Sequence, residues 1–224
     1  MNKGFYWIVA VVVIFIAFLS AAAFYKNRNI TGLPIPGPEI VSTDWTVGTS
    51  TEVILMEYSD FQCPACRAYF PIVEQLIAEY GGHFTFVYRH FPLAQHGNAR
   101  ATARASEAAG RQGKFFEMYR ILFQNQDTWA NNQKPFDIFR GYAGDLALDL
   151  ARFETDYNSP DIKGKIDNDY KSGLNLGVNS TPSFFINGNK INIPTGNTNE
   201  EILAGFKSLL DKELRGEVVT LPLQ

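Results

Sequence analysis

The residues of this chain best suited to chemistry are its two cysteines, Cys63 and Cys66, which are separated by Pro64 and Ala65. At this spacing the second sulfur reaches the first with little movement of the chain, so the pair can form a disulfide and open it again. The reactive form of cysteine is the thiolate, and the first turn of a helix stabilises an anion through its free N–H groups and its dipole. The spacing therefore indicates thiol-disulfide exchange, with Cys63 as the nucleophile and Cys66 as the resolving sulfur.

Three other roles are open to a CxxC pair. It can supply half of a zinc site, for which His83, His90 and His96 are the possible nitrogen ligands. It can consist of two inert core cysteines, or form a structural disulfide, although closing so short a loop removes little entropy from the unfolded chain. We interpret His90 and His96 as structural or surface residues, and we expect His83 to be exposed. Redox exchange remains the favoured role of the pair.

The sequence around the cysteines predicts a strand, a turn and a helix. Residues 53–56 form a continuous apolar run, which is typical of a buried strand. After the cysteines, apolar residues recur at helical spacing over 69–80, and Pro64 suits the start of a helix because its missing N–H costs nothing there. A second apolar run at 84–88 predicts another strand. The cysteines therefore belong to a βαβ unit with a parallel pair of strands.

The rest of the chain predicts an α/β domain with a helical insertion. Residues 97–175 show helical periodicity without a convincing strand. Strands resume at Ser183, and the Asn187-Gly188 pair favours a tight hairpin. Thr198 and Glu201 form a capping box at the start of a last amphipathic helix. Five aromatic residues of the insertion fit either the core or a peptide groove: Phe115, Phe116, Tyr119, Phe123 and Trp129.

The N-terminus predicts a membrane anchor. Residues 5–25 contain Ser20 as their only strongly polar member, and as a helix they span ~30 Å, the thickness of the hydrocarbon core of a bilayer. A cleaved signal peptide is the alternative, because small residues occupy 20–23. Basic residues flank the segment on both sides, so charge does not fix its orientation. The prolines and glycines of 29–51 predict an extended linker.

Composition narrows the function further. The chain has 46% hydrophobic and 19% charged residues, which is typical of a folded globular protein. The residues after position 28 carry 17 basic and 23 acidic side chains. Such a balance offers no basic surface to neutralise phosphates, so we expect no binding of nucleic acid.

Three segments together resemble one family. EYSDFQCPAC from Glu57, QGKFFEMY from Gln112 and NSTPSFFING from Asn179 are similar to the DsbA-like thiol-disulfide oxidoreductases of the thioredoxin superfamily. The resemblance runs from about Thr51 to Leu214. It implies a thioredoxin fold with a helical insertion, here preceded by an N-terminal transmembrane helix. The expected organisation is an anchor or signal segment at 1–28, a linker at 29–51, thioredoxin parts at 52–96 and 176–216 around an insertion at 97–175, and a tail at 217–224.

The resemblance also implies roles for individual residues. Thr181 and Pro182 match the cis-proline loop that lies beside the CxxC motif and binds an extended substrate segment. Glu57 matches a buried acid that lies beneath the disulfide and assists proton transfer at Cys66; the other interpretation of Glu57 is a solvent-exposed carboxylate at a strand end. Pro71 matches a proline that bends the active-site helix. The residues expected to modulate the sulfurs are Gln62, Pro64 and Ala65.

The expected function is that of an extracytoplasmic, membrane-tethered oxidase. It would donate the Cys63-Cys66 disulfide to reduced exported proteins, and the family implies reoxidation by a quinone-linked membrane partner of the DsbB-like or VKOR-like type. No cofactor and no metal ion are expected. The alternatives are a disulfide reductase or isomerase, a tethered metal-binding or peptide-binding module, a domain secreted after leader cleavage, and a domain on the cytosolic side, where both thiols would stay reduced.

Overall fold

The computed structural model describes residues 37–50 and 52–217. The predicted membrane anchor and nearly all of the predicted C-terminal tail lie outside these residues. Within the described part, no helix is long and apolar enough to cross a membrane. The elements of that part, in chain order, are β1 (Trp45–Gly48), β2 (Ile54–Ser59), α1 (Pro64–Tyr80), β3 (Thr85–His90), α2 (Ala99–Gly110), α3 (Phe115–Gln124), α4 (Gln126–Trp129), α5 (Pro135–Asp145), α6 (Leu150–Asn158), α7 (Pro160–Asn175), β4 (Ser183–Ile186), β5 (Asn189–Lys190) and α8 (Asn199–Leu214).

The strands form one mixed sheet in the order β1-β3-β2-β4-β5. β2 and β3 are parallel and are joined through α1, as the sequence predicts, while the other neighbouring strands are antiparallel. Because parallel strands end at the same edge of a sheet, the turn after β2 that carries Cys63 lies beside the loop that follows β3. The helices α2 to α7 all lie between β3 and β4 in the chain, within the predicted insertion.

The edge strand β1 was not expected. Residues 45–48 fall inside the predicted linker, yet they pair antiparallel with β3, so the linker prediction does not hold for them. Their burial alternates along the strand, which places Trp45 and Val47 toward the core. The Trp45 ring stacks on Phe115 at 5.2 Å between centroids, and its Nε1 donates to Glu107 Oε2 at 2.9 Å. Only four residues alternate between half-buried and exposed here. So short a pattern does not predict a strand within a segment whose prolines and glycines predict a linker.

Local sequence signals set the last elements. Asn187 and Gly188 have φ values of 46° and 82°, the two positive values that a two-residue type I′ hairpin requires, and they join β4 to β5. Thr198 accepts a hydrogen bond from Glu201 N at 3.2 Å and so caps α8. The Glu201 carboxylate accepts from Asn197 N at 2.7 Å instead of from Thr198 N. Half of the predicted capping box is therefore formed as expected.

The larger core lies on the sheet face that carries Leu55, Phe86 and Tyr88, where it is covered by α1, α8 and the insertion. A smaller core around Met56 and Val87 lies on the opposite face. The aromatic residues of the insertion belong to the larger core and do not line an open groove: Phe115, Tyr119, Phe123 and Trp129 are buried, and Phe116 packs against them.

Replacing Trp45 with alanine should destabilise the protein, because it removes the stacked ring and one donor to the buried Glu107 carboxylate. We expect the free energy of unfolding to fall by about 2 kcal/mol, below the cost for a fully buried aromatic residue. Thr46→Ala, on the exposed side of the same strand, is the matched control and should change it by less than about 0.5 kcal/mol. Urea unfolding measures both variants. Equally small effects would show that β1 contributes little to the stability of the fold.

Candidate active site

Cys63 is the N-cap residue of α1. Its backbone is extended, with φ −71° and ψ 123°, and Pro64 occupies the first helical position. The backbone N–H of Cys63 donates to Asp60 O at 3.0 Å, which closes the turn between β2 and α1. The first N–H groups of a helix have no partner inside the helix, so those of Ala65 and Cys66 are available to the Cys63 sulfur. Both cysteines are present as free, buried thiols.

The two sulfurs have opposite acidities. The hydrogen bond from the Cys66 thiol, helped by the N–H groups of Cys66 and Ala65, lowers the pKa of Cys63 to about 5 against the effect of burial. Burial raises the pKa of Cys66 well above its usual value, and the neighbouring Cys63 and Glu57 act in the same direction. At neutral pH the outer sulfur is therefore a thiolate and the inner sulfur a thiol.

The loop before β4 lies next to the Cys63 sulfur. The Thr181-Pro182 peptide bond is cis, and the carbonyl oxygen of Thr181 lies 3.4 Å from Cys63 Sγ. Antiparallel pairing of β4 with β2 carries this loop to the cysteines across 118 positions of the chain. The structure thus brings Thr181 and Pro182, which the resemblance assigns to substrate binding, next to the reactive sulfur.

Glu57 lies inside the protein, on β2. Its side chain is not solvent-exposed at a strand end, since only 2% of the residue is accessible. Ser59 Oγ donates to Glu57 Oε1 at 2.6 Å. Burial raises the pKa of Glu57 to about 8, and the negative charge of Cys63 adds to that rise although the hydrogen bond from Ser59 opposes it. Glu57 is therefore protonated at neutral pH and can supply a proton within the site.

The Gln62 side chain contacts the helical insertion. Its Nε2 donates to Ala130 O at 2.7 Å, and its Oε1 accepts from Asn98 N at 2.7 Å. Any influence of Gln62 on the cysteines thus passes through the backbone of the loop. Of the other residues expected to modulate the site, Pro64 opens α1 and Ala65 contributes its N–H group. Pro71 lies within α1, where it lacks the N–H of a regular helical hydrogen bond.

Sequence reasoning missed Asp60, which organises the turn before Cys63. Its buried carboxylate accepts hydrogen bonds from Gln62 N at 2.8 Å and Leu93 N at 2.9 Å, and it lies 2.7 Å from His96 Nδ1. His96, predicted to be structural or at the surface, thus supports the active-site loop. A local signal existed, because an aspartate that bonds the backbone N–H two residues later is a common turn former.

Gln126 was also missed, and nothing local in the sequence marks it. It belongs to α4 in the insertion, 63 positions after Cys63. Its Nε2 donates to Phe61 O at 2.6 Å and to Cys63 O at 3.2 Å. Nearby, Asn98 Nδ2 donates to three backbone carbonyls of the insertion, those of Trp129, Ala130 and Asn132.

The remaining histidines lie outside this cluster. His90 is buried and contacts Glu107 at 2.9 Å between Nε2 and Oε1, whereas His83 is exposed. In the described ranges, no group of three or more His, Cys, Asp or Glu side chains is arranged to hold a metal ion.

A mixed sheet, a CxxC motif at a helix N-terminus and a cis-proline loop beside it define the class of thiol-disulfide oxidoreductases with a thioredoxin fold. The family model described as Thioredoxin matches residues 42–211, well over half of the chain. The chain therefore belongs to the thioredoxin family. The match begins ten residues before the predicted domain start and includes β1.

Several solved structures of oxidoreductases share the fold of this chain. A thioredoxin-like oxidoreductase from Silicibacter pomeroyi DSS-3 is 22% identical with a TM-score of 0.64, covering 78% of this chain and 94% of its own. BdbD from Bacillus subtilis is 17% identical with a TM-score of 0.68, covering 81% and 98%. α-DsbA1 from Wolbachia pipientis is 22% identical with a TM-score of 0.62, covering 85% and 96%. The resemblance noted in the sequence is confirmed for the thioredoxin family and for a fold shared with these DsbA-like structures.

Curated relatives match over a shorter region. Na(+)/H(+) antiporter NhaA 1 of Mycobacterium sp. (strain KMS) is 36% identical over 143 residues, which is 62% of this chain and 22% of the relative. NhaA 3 of Salinispora tropica is 38% identical over 139 residues, 62% of this chain and 20% of the relative. The chain thus spans about a fifth of the length of these relatives.

Glu57→Gln should make the stability of the reduced protein less dependent on pH. In the unfolded chain Glu57 ionises near its usual value of 4.5, whereas in the fold it keeps its proton until about pH 8. Its contribution is therefore fully present below about pH 4.5 and is lost as pH rises toward 8. We expect the variant to be more stable than wild type near pH 7 by about 2–3 kcal/mol, with little difference near pH 4.

Urea unfolding of the reduced protein at both pH values measures this effect. Glu52→Gln removes an exposed carboxylate from the same region and serves as the matched control. A Glu57→Gln effect of the same size at both pH values would contradict the assignment of a protonated, buried Glu57.

Proposed function

We propose that this DsbA-like oxidoreductase is an oxidase that donates the Cys63-Cys66 disulfide to thiol pairs in exported proteins. One observation carries the proposal: the fold lowers the pKa of Cys63 to about 5 while it keeps Cys66 as a thiol. Stabilising the Cys63 thiolate stabilises the reduced enzyme. A disulfide whose reduced form is stabilised is readily reduced by substrate thiols, which makes the enzyme an oxidant.

The reaction proceeds in two exchanges. A substrate thiolate attacks Cys63 Sγ, the bond between the two enzyme sulfurs breaks, and Cys66 leaves with the electron pair. Because Cys66 is buried and its thiolate is unfavourable there, it takes up a proton, which the protonated Glu57 can donate; Glu57 then regains a proton from the solvent, which received protons when the substrate thiols ionised. A second substrate thiolate then attacks the substrate sulfur of the mixed disulfide, and Cys63 leaves as a stable thiolate. Two electrons pass from the substrate to the enzyme.

The substrate approaches along the cis-proline loop. The Thr181 carbonyl beside Cys63 offers a backbone acceptor to an extended substrate segment, the usual means by which a protein binds unfolded chain without side-chain specificity. Thr181 and Pro182 thus position the substrate thiolate near Cys63. Recognition through the backbone suits an enzyme that acts on many exported proteins.

The proposed oxidase function requires a location outside the cytosol, where the glutathione pool does not keep the thiols reduced. We propose that residues 5–25 anchor the domain to the membrane and that a quinone-linked membrane protein of the DsbB-like or VKOR-like type reoxidises it. The hydropathy of that segment and the family resemblance support these two points. Tethering both proteins to one membrane raises their effective concentration for each other.

The redox equilibrium with glutathione tests the direction of electron flow. We expect a reduction potential closer to about −120 mV, the value of a strong oxidant of this fold, than to the value of about −270 mV for thioredoxin. Cys63→Ser should lose all oxidation of a reduced model substrate while it keeps the fold. A potential near that of thioredoxin would reject the oxidase assignment in favour of a reductase.

Protease treatment of intact cells tests the location. With the domain on the outer side, added protease should degrade it without lysis of the membrane, and it should stay in the membrane fraction of untreated cells. Release into the medium would indicate leader cleavage. Protection until lysis would place the domain in the cytosol and contradict the proposal.

A further inference from the structure

The reactive loop is held by a polar side chain from the insertion. Gln126 is only 4% exposed, and its Nε2 reaches the carbonyls of Phe61 and Cys63, on either side of Gln62. The Cys63 carbonyl also accepts the helical hydrogen bond from Arg67 N at 3.1 Å. Two donors, Arg67 N in the first turn of α1 and the Gln126 side chain, thus fix the orientation of the Cys63 carbonyl.

A second contact supports the first. Gln62 bonds Ala130 O and Asn98 N, and Asn98 in turn holds the end of α4 through its side chain. We call the three side chains of Gln62, Asn98 and Gln126 the loop clamp. The hydrogen bonds of Gln62 to Ala130 and Asn98, and those of Gln126 to Phe61 and Cys63, all join the active-site loop to the insertion. Because the two hydrogen bonds of Gln126 are buried, breaking them leaves backbone carbonyls without that partner in the interior.

We infer that Gln126 is a positioning residue: through its hydrogen bond to the Cys63 carbonyl it holds Cys63 in the extended backbone conformation that keeps the sulfur at the N-terminus of α1. Through this contact the helical insertion controls how strongly the Cys63 thiolate is stabilised. The inference concerns the site of the proposed function and rests on it only in treating Cys63 as the reactive thiolate.

The stabilisation of the Cys63 thiolate depends on how the N–H donors are aligned with its sulfur. Hydrogen bonds weaken steeply as their angle departs from linearity, so a small rotation about the Cys63 backbone moves the sulfur away from both donors. The donor end of the Gln126 amide also neutralises the negative ends of two carbonyl dipoles close to the sulfur. Removing the amide therefore lowers the stabilisation of the thiolate in two ways.

Gln112 provides a matched control within the insertion. Its Nε2 donates to Asp149 O at 3.1 Å, and its Oε1 accepts from Asp149 N at 2.9 Å. It thus bridges backbone groups as Gln126 does, but among the described residues its hydrogen bonds do not reach residues 61–66. A general loss of stability should appear in both glutamine variants, whereas a loss of thiolate stabilisation should appear only at Gln126.

The experiment follows the rate of Cys63 alkylation against pH in the reduced full-length protein, with mass spectrometry to assign the modified cysteine. In Gln126→Leu the midpoint should move to higher pH, with about tenfold less thiolate on the acid side of the profile, equivalent to one pH unit. Gln112→Leu should keep the wild-type midpoint. Thermal unfolding of both variants reports their loss of stability.

An unchanged midpoint in Gln126→Leu, or equal shifts in both variants, would overturn the inference. Gln126→Met, which keeps the length of the side chain and lacks the donor, replaces the leucine variant if that one does not fold. Alkylation requires no substrate, so the outcome does not depend on the direction of electron flow. A failure of the proposed function would instead appear in the reduction potential of the wild-type protein.

Discussion

The site depends on one interaction: a sulfur anion at the N-cap of α1 is stabilised by the Cys66 thiol and by the N–H groups of the first helical turn, which lower the pKa of Cys63. An N-cap position usually carries an oxygen acceptor from Ser, Thr, Asp or Asn; here Cys63 occupies it without a regular side-chain capping hydrogen bond, so the positive end of the helix acts on its thiolate. Once Cys63 is in a disulfide, its sulfur no longer carries the charge that these donors stabilise. The helix N-terminus therefore favours the open, reduced form of the pair.

Burial limits the site to one negative charge. Cys63, Cys66 and Glu57 all have acidic protons, but Cys66 and Glu57 lie in the interior and their pKa values are raised. Ionisation of a second group beside the Cys63 thiolate would place two like charges in a medium that screens them poorly. Glu57 is the buried acid that keeps its proton at neutral pH, and its ionised form would raise the pKa of Cys66 further.

Local chemistry made much of this protein predictable from its sequence. The CxxC spacing with Pro64 after the N-cap, the Asn187-Gly188 turn and the Thr198 cap each act within a few residues, so their signals can be read directly from the chain. β1 and the contacts of Gln126 were not predictable in this way. A four-residue edge strand depends on its partner β3 for most of its stability, and a glutamine has no conformational preference that marks the backbone carbonyls it will meet across the fold.

The position of the insertion in the chain explains why it influences the sulfur. Because α2 begins shortly after β3, and β2 and β3 end at the same edge of the sheet, the first residues of the insertion lie beside the loop that carries Cys63. Elsewhere, Trp45 of β1 joins the insertion to the sheet: its ring stacks on Phe115 and its Nε1 donates to Glu107. With attachments at both places, the insertion cannot shift alone without straining either the aromatic contact or the loop clamp.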